Sequence, residues 1–167
     1  ASSQTGMSST IYYILIYMFT NLAAFGIISA IENKTGKVGM DDYNGLYTTN
    51  PKLAFAMTLA MFSLGGIPPF AGFFSKFFIF ASVAESKVFG DYLLVFLALL
   101  YTIISLYYYL LVVKAMFINK SESPIETIKI DVMSRVALLV CVIAILVIGF
   151  ISAIYMNIYD ISFGFAN

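Results

Sequence analysis

A chain of 167 residues that is 61% hydrophobic and only 11% charged has about half the ~25% charge of a water-soluble domain, too little to coat a globule in water. Nine basic residues balance nine acidic ones, histidine is absent and cysteine occurs once, at Cys141. This leaves no basic patch to track a nucleic-acid backbone, and it excludes a disulfide framework and the usual zinc or haem ligand sets. An all-α integral membrane protein remains, with no metal or cofactor site expected in the chain itself.

In chain order, ASSQTG (1–6) carries no basic residue ahead of an apolar run, so it does not read as a signal peptide. Met7 is one candidate start; the other reading is a piece of a longer polypeptide. The first helix is expected over about 10–31, because no Asp, Glu, Lys or Arg falls between Ile11 and Ile31. At 1.5 Å per residue it covers about 33 Å, enough to cross a ~30 Å hydrocarbon core. Glu32 ends it, and the polar, Gly-rich stretch 32–51 reads as a loop with a short surface helix.

Residues 52–64 and 70–85 form apolar stretches separated by GGIPPFAG at 65–72. Their uncharged parts, 53–64 and 71–84, run to about 18 and 21 Å as helices, and the whole as one unbroken helix to about 48 Å. Neither half spans alone, and the whole is too long. Further on, 92–117 and 132–158 are comfortable spans, joined by a polar loop, 118–131, that contains Pro124.

Lysine and arginine decide how often the middle segment crosses. With one crossing, Lys34, Lys37, Lys52, Lys114, Lys120, Lys129 and Arg135 share one side and only Lys87 lies on the other; with two crossings the split is four to four. The asymmetric arrangement gives one membrane domain over 1–167 with four transmembrane crossings. The second crossing is a discontinuous helix broken near 65–70, loops 32–51 and 118–131 are cytoplasmic, and both termini lie outside.

Lys76 is the one basic residue deep in an apolar span, nine positions before Glu85. That is ~13 Å along a helix, more than a lysine stem can bridge by snorkelling. A charged lysine at a span centre costs about 2.5–3.5 kcal/mol, so this amine is expected to be buried and functional, as a proton-transfer group. Just upstream, Pro68 and Pro69 lack N–H groups, which leaves the carbonyls of Leu64 and Gly65 without helical donors. Gly65, Gly66 and Gly72 loosen the backbone further. Unpaired carbonyls at membrane depth are tolerated where they line water or are buried in protein. A broken helix beside a membrane lysine is the layout of an ion pathway; a simple Gly-Pro kink with a lysine paired for stability is the plainer alternative. No carboxylate of the chain lies in a span to pair with it.

Two polar stripes follow helical spacing: Tyr13, Tyr17 and Asn21 on the first helix, and Tyr101, Ser105 and Tyr109 on the third. Each stripe shares one face. They suit either a proton path on both sides of Lys76 or interhelical hydrogen-bond glue. Cys141 has apolar neighbours and reads as inert packing, and Asp41–Asp42 as solvated loop residues.

SLGGIPPFAGFFSKFFIF (63–80) closely resembles the interrupted helix of the antiporter-like membrane subunits of respiratory complex I. IYYILIYMFTNLAAFGII (11–28), NPKLAFAMTLAMFSLGGIPP (50–69) and SLYYYLLVVKAMF (105–117) are similar to the N-type subunit of bacterial NADH-quinone oxidoreductase. The resemblance implies a fold of two inverted five-helix repeats, of which this chain would be the carboxy-terminal third, with Lys76 as the motif lysine of the second broken helix. It implies a non-redox, proton-translocating subunit of an NADH:quinone oxidoreductase in the bacterial inner membrane. NADH, FMN, iron–sulfur clusters and quinone would be held by other subunits. The partners would be those membrane subunits, the upstream part of the same polypeptide, and lipid. A related cation/proton antiporter or membrane-bound hydrogenase subunit shares the motif, and a non-transporting scaffold is the rival of another class.

Overall fold

In a computed structural model that describes residues 4–85, 88–150 and 157–158, the apolar segments are helical. The described helices are α1 (Gln4–Thr35), α2 (Leu46–Thr49), α3 (Pro51–Gly65), α4 (Ala71–Ala84), α5 (Phe89–Phe117) and α6 (Val132–Phe150), with a 3₁₀ turn at Met40–Tyr43. α1, α5 and α6 are long and apolar enough to cross a membrane; α3 and α4 are apolar but shorter. Lys87 and the expected last helix beyond Phe150, apart from 157–158, lie outside the described residues.

Helix ends follow local chemistry more closely than charge. α1 runs past Glu32 because its last turn is braced by side chains: the Thr35 hydroxyl donates to the Ile31 carbonyl (2.8 Å) and the Asn33 amide to the Ser29 hydroxyl (3.2 Å). It stops at Gly36, whose φ of 70° is left-handed and suits glycine. α5 begins at Phe89, earlier than expected, with Asp91 in its first turn, where the positive end of the helix dipole favours a carboxylate. At the start of α6 the Ser134 amide donates to the Asp131 carboxylate (2.9 Å). That hydrogen bond holds the Asp131 carboxyl below the usual carboxylate range.

α3 is the centre of the bundle. Nine of its fifteen residues are buried, among them Ala54, Ala60 and Gly65; small residues let neighbouring backbones come close. α1 packs against α6, α4 and α3, and the second half of α5 against α3. Outward-facing side chains are apolar, for example Ile14, Leu22, Phe25, Ile103 and Leu139, while Thr20, Thr58, Ser63 and Ser75 are buried. Hydroxyls inside and hydrocarbon outside is the pattern of a protein whose solvent is lipid.

The two polar loops clasp each other at one end of the bundle. Asn50, only 6% exposed, donates to the carbonyls of Ile125 (3.3 Å) and Glu126 (3.0 Å) and accepts from the Ile128 amide (2.8 Å). The Thr127 hydroxyl donates to the Thr49 carbonyl, Asn119 to Asn44, and the Gly45 amide to the Ala115 carbonyl. Asn50→Ala removes three hydrogen bonds to buried and part-buried backbone groups, at about 1 kcal/mol each a cost of about 3 kcal/mol. Hydrogen exchange at the Ile128 amide should then quicken by about two orders of magnitude. Unchanged exchange would mean that the apolar contacts alone hold the loops together.

Candidate functional site

The functional geometry gathers where α3 gives way to α4. α3 ends in a left-handed glycine: Gly66 has φ 74°, its amide donates to the Ser63 carbonyl (3.0 Å), and the Ile67 amide donates to the Phe62 carbonyl (3.0 Å). This pair of bonds is a Schellman closure. Pro68 and Pro69, joined by a cis peptide, follow, and α4 restarts at Ala71 with the Phe70 ring tilted against Phe62 at 5.6 Å between ring centroids.

The Leu64 carbonyl lacks a helical donor, and Lys76 takes it. The Lys76 side chain folds back from the second turn of α4, and its Nζ donates to the Leu64 oxygen at 2.7 Å. Its stem lies over Gly66, where an added Cβ would stand 3.3 Å from the lysine Cδ. The amine thus bridges the carbonyl end of α3 and the body of α4. One ammonium donor is used, which leaves two for other partners.

Around the amine is a polar cavity of about 220 Å³ lined by residues of α1, α3, α4 and α5. At ~30 Å³ per water it has room for about seven molecules. Tyr13, Tyr17, Tyr101, Ser105 and Tyr109 all line it together with Lys76, so both stripes face the same space. Asn21 does not line it; its amide donates to the Tyr17 carbonyl of its own helix (2.7 Å). Ser105 likewise bonds back to the Tyr101 carbonyl (2.9 Å).

Lys76 is half-buried, and no lysine among the described residues is fully buried, which corrects the expectation of an enclosed amine. The cause is the outer wall of the cavity. Tyr17 and Tyr101, which line it, are themselves 51% and 69% exposed, so it opens outward between α1 and α5. No carboxylate lines it.

A second set of hydroxyls was not evident in the sequence. Thr20 and Ser63 are both buried and lie 3.2 Å apart. The Ser63 oxygen also accepts the Gly72 amide (3.2 Å), capping the first turn of α4, and Ser75 donates to the Gly72 carbonyl (3.0 Å). Thr20, Ser63 and Ser75 all line the same cavity. Their only sequence signal is position: Ser63 sits just before the Gly-Pro segment and Ser75 just before Lys76. Gly72 has a role different from the one expected of it. It is helical, and an added Cβ would lie 1.7 Å from the Ser63 carbonyl oxygen, so it lets α4 start in backbone contact with the end of α3.

A chain with three helices long and apolar enough to cross a membrane, and two shorter apolar helices bridged by a lysine, falls in the class of multi-pass membrane proteins. Comparison with known proteins narrows the class. Residues 1–105 match the transmembrane family "NADH:quinone oxidoreductase/Mrp antiporter, TM", and the chain belongs to this family. It is 59% identical over 166 residues to NADH-quinone oxidoreductase subunit N of Azobacteroides pseudotrichonymphae, covering 98% of this chain and 34% of that protein. The corresponding subunit N of Phocaeicola vulgatus is 56% identical over 161 residues, covering 96% of this chain and 34% of that protein. Among solved structures, respiratory complex I from Thermus thermophilus with bound aureothin matches with a TM-score of 0.71 and 31% identity, over 85% of this chain and 32% of that one. The chain therefore spans about a third of the length of the relatives it matches. It is a multi-pass protein of the bacterial inner membrane.

Proposed function

We propose that the chain is part of the N-type, proton-translocating subunit of a bacterial NADH:quinone oxidoreductase, and that Lys76 is a proton-transfer group in it. The observation that carries this is the 2.7 Å bond from Lys76 Nζ to the Leu64 carbonyl, made inside a cavity large enough for water and lined by both tyrosine stripes. In the protonated state the amine makes a charge-assisted bond to the carbonyl end of α3, stronger than the bond a neutral amine makes. Loss of the proton weakens that tie and frees the amine to take a proton from cavity water. Redox chemistry and its cofactors (NADH, FMN, iron–sulfur clusters, quinone) belong to partner subunits, and this chain supplies the proton site alone.

In the same reading α3 and α4 form one interrupted crossing, so the chain crosses four times. Two features support it. At about 22 and 21 Å, α3 and α4 each fall short of a ~30 Å core. The loops at 36–50 and 118–131 are bonded to each other through Asn50 and Asn44, which requires them to share a side. Seven of the chain's positives then lie on or beside the cytoplasmic face, as the positive-inside rule expects. A cation/proton antiporter subunit is the second reading, because the family description spans both activities. The two subunit N relatives favour the oxidoreductase.

The test is Lys76→Ala in the complete complex. Proton translocation per electron should fall by more than the amount of assembled complex does. A normal ratio at normal abundance would leave the broken helix as a packing device only.

A further inference from the structure

On the loop-clasp side a separate groove runs between the start of α3, the segment 127–130 and the first turns of α6, with a volume of about 670 Å³, in the range of small-molecule pockets. Its two helical walls share one pattern. Lys52, Phe55 and Ala56 follow i, i+3, i+4 on α3, and Arg135, Leu138, Leu139 and Val142 follow i, i+3, i+4, i+7 on α6; all line the groove. Each wall thus begins with a cation at the polar end and continues apolar along the helix.

We infer that this groove holds one anionic phospholipid, its phosphate between Lys52 and Arg135 and an acyl chain along Phe55, Leu139 and Val142. Both cations line the groove and no carboxylate does, a charge balance that favours an anion in it. Both are exposed and so within reach of a headgroup. Arg135 spends one donor on the Ile130 carbonyl (3.2 Å) and keeps the rest of its fork for phosphate oxygens. Both helices start at this end, at Pro51 and Val132, so their positive dipole ends add to the same field. One amphiphile satisfies all of this: the head matches the charge, the tail matches the walls, and basic grooves between helices on the cytoplasmic side are where anionic headgroups settle. The inference uses the placement of the loops at the cytoplasmic face but not the role of Lys76, and its readout is independent of proton coupling.

The complete complex would be placed in phosphatidylcholine nanodiscs containing a small fraction of phosphatidylglycerol with a diazirine in its acyl chain, and crosslinked peptides mapped by mass spectrometry. Labelling is expected at 51–56 and 138–142, roughly tenfold above that from the matching phosphatidylcholine probe, and roughly tenfold lower in the Lys52→Gln/Arg135→Gln double variant. Lys37→Gln, in the other loop and not among the residues that line the groove, should label as the unaltered protein does. Equal labelling by the phosphatidylcholine probe, full labelling of the double variant, or abolition by millimolar inorganic phosphate would each overturn the inference. So would absence of label from these peptides, which would mean that another chain covers the groove. The comparison of the two probes on the unaltered complex decides the matter even if the double variant assembles poorly.

Discussion

Gly72→Ala should abolish accumulation of the protein in the membrane, or leave it melting far below the unaltered form. The added methyl would sit 1.7 Å from the Ser63 carbonyl oxygen and 2.6 Å from its carbon. Both obstacles are backbone, so no side-chain rotation relieves the clash. α4 would have to back away from α3, which breaks the Ser63 cap on the Gly72 amide, separates Ser63 from Thr20, and pulls Lys76 from Leu64. Inserting a methyl into a packed core costs ~1–3 kcal/mol where neighbours can adjust. With rigid backbone as the neighbour, the loss should exceed ~4 kcal/mol, the range of exceptional substitutions. Gly90→Ala is the internal control: it too is a helical glycine, but nothing lies within 4 Å of the added carbon, so abundance and melting should not change. Equal behaviour of the two variants would mean that α3 and α4 are not in backbone contact.

This junction also marks the limit of what a sequence discloses. The long spans were legible because an uninterrupted run of hydropathy is a local property, and the α3–α4 gap because proline and glycine act on their own neighbourhood. Leu64 could be named as a carbonyl without a helical donor. That Lys76 would satisfy it depends on α4 folding back across twelve positions, which no periodicity encodes. Gly72 appears in the string only as a loosener of backbone; its spatial function, admitting a neighbouring chain, becomes visible once that neighbour is in place. Asn50 is the plainest case: a polar residue before a proline reads as loop, yet its partners are 75 to 78 residues away. The half-exposure of Lys76 has the same origin. It is set by the placement of the helices whose residues line the cavity, Tyr17 of α1 and Tyr101 of α5 among them, rather than by hydropathy.

The sharpest expected result concerns Lys76→Arg. The bond to the Leu64 carbonyl can serve two different ends, holding α4 against α3 or parking a mobile proton, and truncation to alanine removes both. Arginine separates them. Its guanidinium keeps the positive charge and has donors enough to reach the same carbonyl. What it loses is the ability to give up the proton: a guanidinium holds its proton far more tightly than a lysine ammonium, so its neutral form is roughly 10²–10³-fold rarer. If the amine only braces the junction, the arginine variant should assemble, turn over and pump as the unaltered complex does. If the amine carries the proton, the variant should assemble normally, because the brace is kept, and should translocate as poorly as Lys76→Ala. The measurement is the proton-to-electron ratio of the reconstituted complex, with abundance by quantitative blotting and melting temperature alongside. Normal abundance with alanine-like coupling would assign the group to proton transfer, since a purely structural residue cannot lose its function while retaining its bond. Normal coupling in the arginine variant would assign it to the architecture of the junction and move the search for the proton carrier to the tyrosines and hydroxyls that line the same cavity.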